Sequence, residues 1–143
     1  MILVDSNILL YAYNSNFGAH SAALTWWEQQ LHGSDSVGLS WQVIYAFLRV
    51  GTNVRLFPNP LTTEEATRHI QRWFDQPCVQ VLSPTQRHWE IFQTMLTEGK
   101  ATANLVSDAH LAAIAVEHGC LLCSTDRDFA RFPGLKWCDP LGK

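Results

Sequence analysis

Lysine is scarce in this chain, with Lys100, Lys136 and Lys143 its only three. Phosphohydrolases that use an aspartate as covalent nucleophile usually keep a lysine near the crevice, and none of these three falls at an obvious strand end. That chemistry is disfavoured. Long apolar runs are missing too, since charged or polar residues interrupt each one well before membrane-helix length. Met1 to Val4 is apolar, but Asp5 and Asn7 follow at once and no basic segment precedes them. This is not the pattern of a secretion leader, so a cytoplasmic location without membrane partners is expected. Cys78, Cys120, Cys123 and Cys138 are too few and too scattered for the disulfide framework of a secreted mini-domain. Cys120 and Cys123 are spaced as C-x-x-C, yet Cys-Leu-Leu-Cys reads as a buried strand, where positions three apart face opposite sides. They are expected to be small buried hydrophobes. Positive charge is also short: 10 Lys and Arg stand against 13 Asp and Glu, a net charge of −3. Taken alone, that balance argues against a plain electrostatic nucleic-acid binder.

What is present is an ordinary globular composition: 143 residues, 47% hydrophobic, with no biased run. One domain over residues 1–143, with a sizeable core, is expected. Met1 to Val4, Val37 to Ser40, Val79 to Leu82 and Cys120 to Ser124 read as short buried strands, and Lys136 to Cys138 as a last edge strand. Between them, helices are predicted from Ser6 or Asn7 to Tyr13, His20 to Leu31, Trp41 to Gly51 and Thr63 to about Phe74. Three more are expected from Ser83-Pro84 to Gly99, Ser107 to His118 and, as a single turn, Asp128 to Phe132. Ser40 suits a cap, and Thr62 with Glu65, like Ser83 with Gln86, has capping-box spacing. The alternation predicts an α/β fold, a short, mostly parallel β-sheet flanked by helices on both faces. Chemistry in such folds collects at the carboxyl ends of the strands.

Aspartates occupy those ends. Asp5 closes Ile-Leu-Val-Asp, and Asp126 closes Cys-Leu-Leu-Cys-Ser-Thr-Asp. Asp108 shares a helix face with Leu111, Ala112 and Ala115, a stripe that should pack on the sheet. An unpaired carboxylate there would cost several kcal/mol. Each acid alone has a structural explanation as a cap, a turn residue or a helix N-terminal acid. Three acids at one crevice repel unless a hard divalent cation holds them, and carboxylate oxygens suit Mg²⁺ or Mn²⁺. Asp128 offers a fourth. Such a site supports phosphoryl transfer to water and requires no Ser, Cys or His nucleophile. Asn7 is placed to orient a water or the aspartate, and Thr125 to hydrogen-bond a phosphate or carboxylate.

Met-Ile-Leu-Val-Asp-Ser-Asn at the start, Asn104-Leu-Val-Ser-Asp-Ala-His in the third quarter and Ser124-Thr-Asp-Arg-Asp-Phe near the end together resemble the PIN-domain ribonucleases. The likeness is nearest to VapC-type toxins of bacterial toxin–antitoxin pairs and runs through essentially the whole chain. It implies a PIN-like fold, a homodimer, Mg²⁺- or Mn²⁺-dependent cleavage of RNA, and inhibition by a VapB-type antitoxin. Residue by residue, Asp5, Asp108 and Asp126 match the family's metal-binding and catalytic acids, and Asp128 an accessory metal ligand. One position departs: many members carry a glutamate where Ala46 stands in Ala46-Phe-Leu-Arg49. Alanine cannot ligate a metal. The departure leaves open a weaker or single-metal site, a role for Asp128 in the glutamate's place, a subgroup in which another acid fills in, and a catalytically weak domain that binds RNA or antitoxin. Glu90 and Glu98 are replacements by availability only.

Arg127 and Arg131 flank the acids and suit either RNA phosphate or ion pairing with Asp126 and Asp128. His110, off the Asp108 face, reads as a helix-surface histidine. Trp27, Trp73 and Trp89 fall on apolar stripes and are expected in the core. Trp26 and Trp41 fit the stripes less well, which leaves a dimer surface, an antitoxin groove or base stacking open to them. Setting the four site aspartates aside leaves nine acids against ten basic residues. The acidity is thus concentrated where a cation would reverse it.

Overall fold

A computed structural model describes residues 1–142. In chain order the elements are β1 (Ile2–Val4), α1 (Ser6–Ala12), α2 (His20–Leu31), β2 (Val37–Leu39), α3 (Trp41–Gly51) and α4 (Thr63–Phe74). They continue with β3 (Val79–Val81), α5 (His88–Glu98), α6 (Leu105–Glu117), β4 (Leu121–Cys123), a 3₁₀ turn (Arg127–Arg131) and β5 (Trp137–Cys138). The sheet runs β3-β2-β1-β4-β5, and every pairing is parallel. The chain builds outward from β1 through β2 to β3, then returns to lay β4 against the other side of β1. Strand order therefore reverses between β1 and β4, and a crevice opens beyond their carboxyl ends.

The central strands are held by burial, while the edge strands β3 and β5 are only partly covered. Leu3, Val4, Val37, Leu39 and Leu122 are completely buried. Gly38 lets β2 approach its cover: a Cβ there would sit 2.5 Å from Leu82 Cδ1 and 3.2 Å from the Ile2 carbonyl oxygen. Ala109, Ala112, Ala113 and Ala115 leave α6 slim enough to be enclosed, with Leu111 and Ile114 filling the space around it. Gly119, at φ 65°, then turns the chain from α6 into β4, a conformation that favours glycine.

Local signals placed most elements. Ser40 Oγ caps α3 by accepting from the Val43 N–H at 3.2 Å, and the Thr62–Glu65 capping box forms in full. Three expectations need correction. The box at Ser83 and Gln86 does not form, and α5 begins at His88. The buried Glu117 carboxylate accepts from the Thr85 N–H (2.8 Å), the Thr85 hydroxyl (2.7 Å) and His88 (2.5 Å), which holds the preceding residues in a turn. That anchor rotates α5 so that His88, Ile91, Phe92 and Met95 share a face. Trp89, about 100° round the helix from His88, is 62% exposed rather than core. Likewise α6 starts at Leu105, two residues before Ser107.

Trp27 and Trp73 are fully buried, and Trp26 stacks on Trp27. All four cysteines are free thiols, with Cys120 and Cys123 buried. Among the described residues no helix is long and apolar enough to cross a membrane.

Candidate active site

Asp5 emerges from β1 and caps α1. One carboxylate oxygen accepts the Ser6 N–H at 2.7 Å, and the other accepts the Ser124 hydroxyl at 2.7 Å. Ser124 is completely buried just past β4. Its oxygen also accepts from the Asp126 N–H (3.0 Å) and from Asn7 Nδ2 (3.3 Å), and so joins the two strand ends across the crevice. Sequence reasoning gave the supporting hydroxyl to Thr125. The structure gives it to Ser124, and among the described residues Thr125 makes no side-chain hydrogen bond. A signal was present in the spacing Ser124-x-Asp126-x-Asp128. Ser124 bonds the N–H of Asp126, and Asp126 Oδ1 bonds the N–H of Asp128 at 2.9 Å, two successive side-chain turns of the i to i+2 kind.

Asp108 enters from the first turn of α6. Carboxylate oxygens of Asp108, Asp126 and Asp128 lie within 4.8 Å of one another. Asp5 stands outside that set but within electrostatic reach of it. Burial, followed by the charges of Asp126, Asp5 and Asp128, pushes the Asp108 carboxyl up to about 6, against a weaker pull from Arg131. The Asp5 carboxyl is also raised, by burial first and by Asp126 in addition, although Ser124 and Ser6 hydrogen bonds oppose the shift. The centre therefore carries more negative charge than its own surroundings compensate.

A cleft of about 460 Å³ opens beside these acids. Asp5 and Asp108 lie on one side; Gln42, Tyr45, Ala46 and Arg49 of α3 line the other. Ala46 thus borders the same cleft as two of the acids. Glu90 and Glu98 do not line it: Glu90 is exposed on α5, 3.8 Å from Arg87. Gln42 was not foreseen. Its Nε2 donates to the Ser107 carbonyl at 2.7 Å, and its Oε1 meets His110 Nδ1 at 2.5 Å, which ties α3 to the start of α6. His110 is accordingly half-buried rather than a free surface group; burial, then the neighbouring His88, lowers its pKa.

Neither flanking arginine forms an ion pair among the described residues. Arg131 instead donates to the carbonyls of Gly99 (3.1 Å) and Lys100 (3.5 Å). It thereby braces the loop ahead of α6, where Lys100 and Ala103 adopt positive φ of 50° and 51°. Arg127 is exposed.

The donor set fits a hard divalent cation. Every ligand atom on offer is a carboxylate oxygen, and no Cys or His belongs to the cluster. Asn7 Oδ1, next to Ser124, is buried without a hydrogen-bond partner, a further oxygen left free at the same place.

A parallel sheet with this order, and acids gathered where it reverses, defines a class that the family comparison identifies: residues 2–135 match the PIN domain, and the chain belongs to that family. Ribonuclease VapC37 of Mycobacterium tuberculosis is 45% identical to it over 140 residues, 98% of this chain and 97% of its own. Ribonuclease VapC33 of the same organism is 38% identical over 141 residues, 99% of each chain. Among solved structures, the Sarcin-Ricin loop cleaving toxin VapC20 of M. tuberculosis superimposes with a TM-score of 0.68 at 18% identity, covering 95% of this chain and 99% of that one. That last likeness is one of fold.

Proposed function

We propose that this chain is a divalent-metal-dependent endoribonuclease, the toxin of a toxin–antitoxin pair. It acts in the cytoplasm as a homodimer of single-domain subunits spanning residues 1–143 and is restrained by a VapB-type antitoxin. The observation that carries the reading is the meeting of Asp108, Asp126 and Asp128 within 4.8 Å, beside Asp5, in a chain whose relatives are named ribonucleases. Those acids would hold Mg²⁺ or Mn²⁺. A bound divalent cation neutralises the scissile phosphate and lowers the pKa of water.

The protein's own groups supply the positioning. Ser124 and the Ser6 N–H fix Asp5 at the crevice, and Asn7 reaches Ser124 from α1. Thr125, beside Ser124, lies within the segment that approaches the phosphate, and Arg127 and Arg131 border it. In the step itself the water oxygen bonds phosphorus and the ester oxygen departs. One water proton passes to a carboxylate oxygen, and the leaving oxygen is protonated from solvent.

The test is cleavage of RNA in Mg²⁺ or Mn²⁺. Activity should vanish in EDTA and in Asp5→Ala, and undiminished cleavage by Asp5→Ala would overturn the mechanism. One observation favours a second reading, a domain that binds RNA or antitoxin and cuts poorly: the α3 side of the cleft presents Ala46 and no acid. Calorimetric titration with Mn²⁺ separates the two, because a dead site shows no carboxylate-dependent heat.

A further inference from the structure

Helix α3 carries a second pattern outside the acidic centre. Trp41, Tyr45 and Arg49 are spaced four apart, and all three are exposed, whereas Val43, Ile44 and Phe47 of the same helix are buried. Trp41 is 47% exposed and Tyr45 63%. Their rings lie 6.0 Å apart at 33°, and Trp41 rests edge-on against Phe74 at 6.1 Å. Tyr45 and Arg49 line the cleft that also holds Asp5 and Asp108. Arg49 has no ion-pair partner among the described residues. Isolated surface aromatics need no explanation. Two adjoining rings and a free guanidinium on one stripe, at the edge of a phosphate-cleaving cleft, call for one.

We propose that Trp41, Tyr45 and Arg49 form a platform for single-stranded RNA at the mouth of the cleft. The two rings stack on bases, and Arg49 meets a backbone phosphate next to the scissile one. The inference rests on the ribonuclease reading and adds where the substrate is gripped. The electrostatics require a grip of this kind. Four aspartates at the centre repel a polyanion everywhere except at bound metal, so affinity has to come from contacts indifferent to charge and from cations at the rim. Base stacking is tolerant of sequence, and arginine matches a phosphate with two donors. Trp, Tyr and Arg also anchor protein interfaces, so what favours RNA over a second copy of the chain is position: Tyr45 and Arg49 line the same cleft as Asp5 and Asp108.

The probe is a short, labelled, single-stranded oligoribonucleotide of mixed sequence. It is titrated in Mg²⁺ against the Asp108→Asn protein, which is expected to bind without cutting, and followed by fluorescence anisotropy. Adding Tyr45→Ala should weaken binding about tenfold, and Trp41→Ala should weaken it by several-fold. Tyr45→Phe, which keeps the ring, should recover most of the loss. Arg49→Ala should weaken binding and make it less salt-dependent by about one phosphate contact. In the otherwise native enzyme the same substitutions should raise KM more than they lower kcat. Equal RNA affinity across folded variants would overturn the platform while the parent's cleavage activity left the ribonuclease reading intact. So would variants that keep their RNA affinity but lose self-association or antitoxin binding, since the stripe would then be a protein interface. A parent that neither binds nor cleaves RNA fails at the earlier step and takes the platform with it.

Discussion

Replacing Asp108 with asparagine should make the metal-free protein more stable. The carboxyl is raised from 3.8 to about 6, first by burial and then by three neighbouring aspartates. Ionised Asp108 therefore opposes folding. The opposition is absent below the unfolded pKa, grows across the window from 3.8 to about 6, and is complete above it. A shift of that size corresponds to about 3 kcal/mol. Asp108 is only partly buried, and its place in the first turn of α6 gives some attraction back, so about 1–2 kcal/mol is the realistic figure. For a chain of this length that equals a rise of roughly 3–6 °C in Tm. Thermal unfolding followed by circular dichroism in EDTA at pH 7.5 should show the gain, and at pH 4 it should nearly disappear, because the native protein then carries the proton itself. Added Mg²⁺ should close the gap from the other side by stabilising the native sequence more than the variant. An Asp108→Asn protein no more stable than the parent at pH 7.5 without metal would refute the claim that the acids are under mutual strain.

Ser124→Ala should cost about 1–3 kcal/mol in urea unfolding, since the Asp5 carboxylate, the Asn7 amide and the Asp126 N–H each lose a partner inside the crevice. RNA cleavage should fall at least tenfold in the same variant, and an intact rate would show that Asp5 needs no such support. Ala46→Glu should tighten Mn²⁺ binding by about tenfold in calorimetry, because it adds a carboxylate to the α3 side of the cleft; an unchanged affinity would mean that the cation sits out of reach of α3. Glu117→Gln should destabilise the fold by about 1–2 kcal/mol at pH 7 with little effect on cleavage. Burial pushes the Glu117 carboxyl up, but bonds from His88 and Thr85 outweigh it and hold the pKa low, so that stabilisation is present above the ordinary glutamate pKa and is lost as pH falls through the lowered one. A difference from the parent that fails to narrow in acid would argue against this account.

The legible parts of the molecule were those decided within a few residues. Apolar triplets marked β1, β2 and β4, the Thr62–Glu65 box marked the start of α4, and Asp5 and Asp126 stood at strand ends because a charged residue has to leave a buried strand somewhere. What escaped was decided at long range. The start of α5 depends on Glu117, 32 residues beyond Thr85, and no local pattern reports that bond. Gln42 reads as an ordinary polar residue of α3 until α6, 68 residues on, brings His110 to it. Ser124 and Thr125 offer the same hydroxyl, and only the direction in which the chain leaves β4 decides which one faces Asp5. Trp89 shows the limit of periodicity: it lies on an apolar stripe, yet a polar anchor one residue away sets the rotation of the helix.

The hydrogen bond between Ser124 and Asp5 closes a loop of 119 residues. During synthesis, a ribosome that has released everything through α6 has produced Asp5 and Asp108 but no centre, because their companions and the serine that aligns them arrive with β4 and the segment after it. The proposed nuclease centre is thus withheld from the nascent chain by topology alone.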